Sequence, residues 1–293
     1  MNGCIVTIMV FVFPIYAYAA EEFKTEFGTL PENFVYRDYA DADLIKLADL
    51  LYHTHRHSEA VEACKEALNR NLTDDKTASV KHVLAETYEA MSDHGQDAKD
   101  TYLQIIQGYP TYEKFPEVAY RLGELNICII PKGTEPDNDK AVEYLKMVID
   151  RLPIVLSGET NVTYLSLKAH MMLGNLLLGQ GHVDEARQLF RTIYDCDINK
   201  AVVLPYETFA TEQETQEHLA WSKDRILNMK KRIPRKLVSA CVSSDLGLSM
   251  QRLSELQCEY PDNTEIQELI SDVLKKLAEV EEVVDQEIAN STS

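Results

Sequence analysis

Three imidazoles alternate within five residues at His53-Thr54-His55-Arg56-His57. Alternating histidines of this kind can converge on zinc or nickel. The segment falls where a predicted helix ends, and a histidine there also suits the negative end of the helix dipole. The dipole reading is adopted, so no metal site and no cofactor are assigned. A second concentration, Lys223, Arg225, Lys230, Lys231, Arg232, Arg235 and Lys236, is the one basic cluster in an acidic chain. It reads as a solvated helix end balanced by nearby acids, with docking of an acidic partner, phosphate groups or a second copy as the alternative. The chain has no glycine-rich phosphate loop, no nucleophile elbow and no catalytic spacing of histidine and carboxylate. No catalytic residue is assigned. The alternative, in which the helices support an unrecognised enzymatic or metal-binding activity, stays open because dispersed Ser, His and Asp side chains can meet in space.

The elements that would position any such residues are helices in pairs. In the stretch Ser166 to Asp195, Leu173, Gly174 and Leu177 share one face of a first helix, and Ala186, Phe190 and Ile193 form an i, i+4, i+7 stripe on a second. Gly179-Gln180-Gly181 supplies the turn. Gly174 and Ala186 stand twelve positions apart, where two antiparallel helices approach most closely, with Leu177 and Phe190 filling the space beside them. Ala48 and Ala60 repeat that spacing between a helix marked by Leu44, Leu47 and Leu51 and one marked by Cys64 and Ala67. Leu84, Ala85 and Tyr88 then pair with Ala98, Tyr102 and Ile105 across a turn at Ser92 to Gly95. Ala119, Leu122 and Gly123 pair with Ala141, Leu145 and Val148 across a polar insertion, PKGTEPDND.

Beyond Asp197 the pattern weakens. Glu207 to Met229 reads as a helix carrying the single tryptophan, Trp221. Leu248, Leu253 and Leu256, with Ser249 in the small position, mark the second helix of a degenerate fifth pair whose first helix is not evident. Thr264-Glu265-Ile266-Gln267 reads as a capping box opening a last helix striped by Ile266, Ile270, Val273, Leu277, Val280 and Val284. That helix serves either as a cap on the preceding pair or as a coiled-coil strand joining a homodimer. The tail from Asn290 to Ser293 is expected to fray.

These paired helices with small residues at the crossing resemble the tetratricopeptide repeat family. The alanines Ala60, Ala98, Ala141 and Ala186 are spaced by 38, 43 and 45 residues, longer than the family's period of about 34. The phrases GYPTYEKFPEVAYRLGEL and EYPDNTE are similar to the periplasmic members that assist outer-membrane or cell-wall assembly. The resemblance implies an all-α fold, an α-solenoid of stacked antiparallel helix pairs closed by a C-terminal capping helix. It also implies a concave groove lined by the first helix of each pair, where family members hold peptides or partner helices. By that register the groove residues are Ile45, Asp49 and Tyr52, then His82, Glu86 and Glu89, then Tyr120, Glu124 and Ile127, then Met171, Asn175 and Leu178. Lys168 and Asn175 match two places of the carboxylate clamp seen in chaperone-binding members, and no neighbouring repeat completes it.

With 29 Lys+Arg against 48 Asp+Glu, the formal charge is −19. Such a charge disfavours nucleic acid and anionic lipid and favours an apolar or basic protein or peptide partner. Met1 to Ala19 has no charged residue and runs IVTIMVFVFPIYAYA into Ala17-Tyr18-Ala19, the small-x-small pattern of a signal-peptidase site. The expectation is export to a periplasmic or extracellular space, with an uncleaved anchor as the alternative and no further transmembrane segment in the mature chain. The expected layout is a signal peptide at 1–19, an extended lead-in at 20–41, about four repeats at 42–198, a degenerate repeat with connecting helices at 199–262, and the final helix at 263–293. Cys64, Cys128, Cys196, Cys241 and Cys258 remain after cleavage, an odd number that leaves at least one thiol outside intramolecular disulfides. Cys64 is expected to be a buried small hydrophobe.

Overall fold

A computed structural model of the chain describes residues 35–127, 136–154, 161–197, 202–203, 212–243 and 245–291. The expected signal peptide, most of the expected lead-in, Cys128 and most of the PKGTEPDND stretch lie outside these residues. The described chain is all-α apart from one two-residue parallel bridge, β1 (Asn161–Val162) with β2 (Val202–Val203), in the register Asn161 to Val202. It divides into two units, Met1–Asp137 and Asn138–Ser293. Among the described residues, no helix is long and apolar enough to cross a membrane.

The first unit holds α1 (Asp41–His53), α2 (His57–Leu68), α3 (Asp74–Ala90), α4 (Gly95–Gly108) and α5 (Phe115–Ile127). Each of these helices packs on the next, and α1 also packs on α3. The apolar stripes read from sequence are the buried ones: Leu44, Leu47, Ala48 and Leu51 on α1 meet Ala60, Ala63, Cys64 and Ala67 on α2. Burial pushes the Cys64 thiol up to about 12, so it behaves as a small hydrophobe and not as a nucleophile. The chain passes from α1 to α2 through His55, whose φ of 60° lies in the left-handed region. The α3–α4 hairpin buries Ala85, Ala98, Tyr102 and Ile105.

The end of the lead-in is not extended throughout. Tyr36–Asp38 forms a 3-10 turn, and Tyr36 and Tyr39 pack against the α1–α2 core. Arg70, just past α2, holds that turn from below: its guanidinium donates to Tyr39 O at 2.7 Å and Tyr36 O at 2.9 Å, and pairs with Asp41 at 2.9 Å.

The second unit holds α6 (Asn138–Arg151), α7 (Tyr164–Gly179), α8 (Val183–Asp195), α9 (Glu212–Lys230), α10 (Ile233–Cys241), α11 (Leu246–Glu259) and α12 (Thr264–Ser291). The α7–α8 hairpin has the predicted crossing. A Cβ built on Gly174 would stand 2.7 Å from Phe190 Cε1, closer than carbon atoms approach, and Phe190 is fully buried. The turn places Gly181 at φ +84°, where glycine alone avoids the Cβ clash. Thr163 caps α7 by accepting from Ser166 N at 3.1 Å.

The helix missing from the sequence reading is α10. It buries Ile233, Pro234, Leu237, Val238, Ala240 and Cys241, packs against α8, α11 and α12, and starts with proline near its N1 position, which needs no amide hydrogen. Ser249 on α11 is buried; its hydroxyl donates to Asp245 O at 2.7 Å and accepts from Ser243 N at 2.9 Å, which lets a polar residue fill a small-residue place. Buried Arg187 on α8 reaches α11 through Glu255 at 3.5 Å. The basic cluster straddles α9 and α10, and Lys223, Arg225, Lys231, Arg232 and Arg235 are solvent-exposed.

The capping box is corrected by one residue. Asn263, not Thr264, caps α12, accepting from Ile266 N at 3.0 Å, while Gln267 donates back to Tyr260 O at 2.8 Å. The backbone of α12 stays helical through Ser291, into the stretch expected to fray. Ile266 and Ile270 are buried, whereas Val280 is exposed, so the first two turns dock on α10 and α11 and the stripe then leaves them.

Two measurements check these contacts. Gly174→Leu is expected to lower the stability of the chain by about 1–3 kcal/mol through overpacking, and Phe190→Leu in the same chain should recover part of that loss; urea unfolding reads both. Arg70→Ala is expected to cost about 1.5–3 kcal/mol, the range for hydrogen bonds made by a charged donor. Arg70→Lys should recover little, because one ammonium does not reproduce a planar fork spanning two carbonyls and a carboxylate.

Candidate functional site

On α3, His82, Glu86 and Glu89 follow at i, i+4 and i+7, so helical geometry sets them in a row. Glu117, Arg121 and Glu124 repeat the spacing on α5. The rows meet: Arg121 Nη1 lies 3.5 Å from Glu89 and 3.1 Å from Glu124. Tyr102 from α4 donates to Glu89 at 3.1 Å, and Tyr120 donates to Glu124 at 2.9 Å. Burial works against the Arg121 charge, but Glu89, Tyr102 and Glu124 outweigh it, and its pKa lies above the ordinary arginine value.

Beside this network sits a more costly group. The His82 ring is buried edge-on against Tyr102 and Tyr112, with centroids at 6.0 and 5.9 Å. Its Nδ1 is 3.2 Å from the Tyr112 hydroxyl. Its Nε2 is buried, has no hydrogen-bond partner, and stands 4.0 Å from Glu86 Oε1. Burial, helped by Lys114 and Arg121, lowers the His82 pKa to about 3. Burial and the nearby Glu117 carboxylate raise Glu86 to about 8, against the opposite pull of Arg121 and Lys114. At neutral pH this places a neutral imidazole against a protonated carboxyl. One donor atom each from His82, Glu86 and Glu117 lies within 4.8 Å of the others, the grouping with metal-ligand spacing among the described residues.

The alternating histidines do not make such a group. His53 turns back to Asp49 at 3.4 Å, while the His55 and His57 rings meet edge to face at 5.7 Å. Burial, then His55, lowers the His57 pKa.

Nine of the twelve expected groove residues fall in the first unit. Ile45 and Tyr52 lean on the α1–α2 core, and Asp49 keeps half its side-chain surface. Glu86, Glu89, Glu124 and Ile127 are half-buried, whereas His82 and Tyr120 are buried. Met171, Asn175 and Leu178 belong to α7 in the second unit, with Asn175 exposed. Lys168 sits over the Tyr164 ring at 5.7 Å. Glu117 and Tyr112 were missed by the groove register: Glu117 is one helical turn ahead of Arg121, and Tyr112 lies in the link before α5. The one available signal was the clustering of Tyr112 and Lys114 in a short connection with Glu117 in the helical turn that follows. Compared with known proteins, the chain matches no family model and no curated protein.

The two titrating groups pull stability in opposite directions. His82, with its folded pKa depressed, contributes stability that is present above about 6.5 and lost as pH falls towards 3. Glu86, with its folded pKa raised, contributes stability that is present below about 4.5 and lost as pH rises through 8. Between 6.5 and 8 only Glu86 acts, so stability should decline there in chelator-treated protein. Glu86→Gln should remove that decline, as read by denaturant unfolding at stepped pH.

Proposed function

We propose that the chain is a non-catalytic, exported scaffold of the tetratricopeptide kind that holds another protein through the faces of its first helices. The observation that carries this reading is the packing of one first helix, α1, on the next, α3. Helix α1 packs on α3 as well as on its own partner α2, and the Glu89–Arg121 pair ties α3 to α5. Successive hairpins stacked with their first helices side by side are the building rule of an α-solenoid, because one hairpin buries too little surface to stand alone. In the second unit, α10 meets α8 as α3 meets α2, α11 follows α10 as the second helix of a fifth hairpin, and α12 covers both. This pattern supports the capping role for α12. Export is supported by the apolar run and small-x-small site at Met1 to Ala19, and a cell-envelope setting by the Tyr-Pro phrases.

The exposed part of the first-helix row combines Ile45 and Tyr52 with Asp49, Glu89 and Glu124, which fits an amphipathic helix with a basic side. Asp49 is the most open acid of the row, whereas Glu89 and Glu124 are already engaged by Arg121. Photocrosslinking from the α1 and α3 face in extract of the source compartment tests the reading. A captured basic or apolar segment should be lost, by about tenfold or more, on Asp49→Lys with Ile45→Ala in a variant that keeps its helical circular dichroism. Capture that is indifferent to both changes would argue against a groove on this face.

A further inference from the structure

We propose that His82, Glu86 and Glu117 form a binding site for one divalent transition-metal ion, with zinc the preferred occupant. The proposal goes beyond the scaffold reading and is independent of it.

Three observations carry it. The first is convergence from separate elements: two donors at i, i+4 on α3 and a third on the first turn of α5 come within 4.8 Å of one another. A zinc ion bonds nitrogen and oxygen at about 2.0–2.2 Å, so its donors stand closer together than this. Small rotations of the two glutamate side chains, each with three flexible torsions, close the difference.

The second observation is the imidazole. His82 Nε2 is buried and has no hydrogen-bond partner, an expensive arrangement for a polar atom. The opposite nitrogen is held by Tyr112 at 3.2 Å. When Nδ1 donates its hydrogen to that hydroxyl oxygen, Nε2 presents a lone pair towards Glu86. This is the arrangement by which an outer partner fixes the tautomer of a metal-ligating histidine.

The third observation is charge. Glu86 and Glu117 oppose each other in a partly buried seam, and Asp49 adds to the negative field. Two cationic side chains also face the seam. Arg121 is committed to Glu89 and Glu124, and Lys114 is exposed to solvent. A dication between the glutamates would displace the proton held by Glu86 and balance the negative field of the seam. One imidazole and two carboxylates suit zinc, cobalt or manganese; manganese binds most weakly in the divalent series, and a three-ligand nitrogen–oxygen set matches the usual zinc site. Hard, oxygen-seeking magnesium is disfavoured by the imidazole.

The test uses the full chain stripped with chelator and titrated calorimetrically with zinc chloride, with magnesium chloride as comparison. One equivalent of zinc should bind, magnesium should not compete, and zinc should raise the melting temperature. Cobalt should replace zinc and give visible absorption bands from an ordered nitrogen–oxygen environment. Glu117→Gln and Glu86→Gln keep size and shape, and each should weaken zinc by about tenfold or more. The double change His55→Ala with His57→Ala should leave affinity unaltered. If either glutamine variant fails to fold, the melting shift and cobalt spectrum of the unaltered chain still decide. Absence of zinc heat and of cobalt bands would overturn the proposal. So would binding that survives in Glu117→Gln and disappears with the His55 and His57 change.

Discussion

The close approach of paired helices governs this chain. At Gly174 the neighbouring helix comes so near that even one added carbon would overlap the Phe190 ring, and at the α1–α2 crossing fully buried Ala48 and Ala60 do the same work with one methyl each. Small residues bring the backbones together, and the larger Leu, Tyr and Phe side chains on either side then interlock at interior density. The remaining contacts follow from this distance. A hairpin pressed together so tightly leaves an apolar face on its outer side, and that face is what the next helix covers.

Much of this was legible because the crossing rule is local and periodic. The α7–α8 hairpin could be read from Gly174, Ala186 and Phe190 with its turn, and α1 to α4 from alanines at similar spacing. Helix α10 was not legible, since nine residues are too few to establish a period. Its apolar positions are also framed by Lys231, Arg232, Arg235 and Lys236, which read as solvent-facing charge. The cap of α12 was displaced by one residue because Asn263 and Thr264 both offer a capping oxygen, and only the backbone path decides between them.

The candidate site divides along the same line. The row His82, Glu86 and Glu89 followed from helical spacing, since residues four apart share a face whatever else the fold does. The partners Tyr112 and Glu117 are brought there by the α4–α5 connection, a tertiary fact that local spacing does not encode. The reverse error was available at His53, His55 and His57, where proximity in sequence suggests convergence. A left-handed residue at His55 turns the chain, and His53 turns back to Asp49 while the His55 and His57 rings meet edge to face.

Two kinds of polar burial stand side by side in the first unit, and the contrast between them is informative. Around Arg121 the charges are arranged to satisfy one another: two carboxylates accept from the guanidinium, and Tyr102 and Tyr120 hydroxyls take up remaining acceptor capacity. A few ångströms away, the fold keeps an imidazole nitrogen out of water with no hydrogen bond, and burial, then the Glu117 carboxylate, raises Glu86 enough to hold a proton near neutral pH. Leucine or methionine in place of His82 and Glu86 would fill that seam without burying a polar atom that lacks a partner, and replacing buried polar groups with apolar ones of similar shape is commonly neutral or stabilising. Packing alone therefore does not account for these residues. The unpartnered His82 nitrogen facing Glu86 points to an electrophile that belongs between them, and a proton on Glu86 is its smallest form.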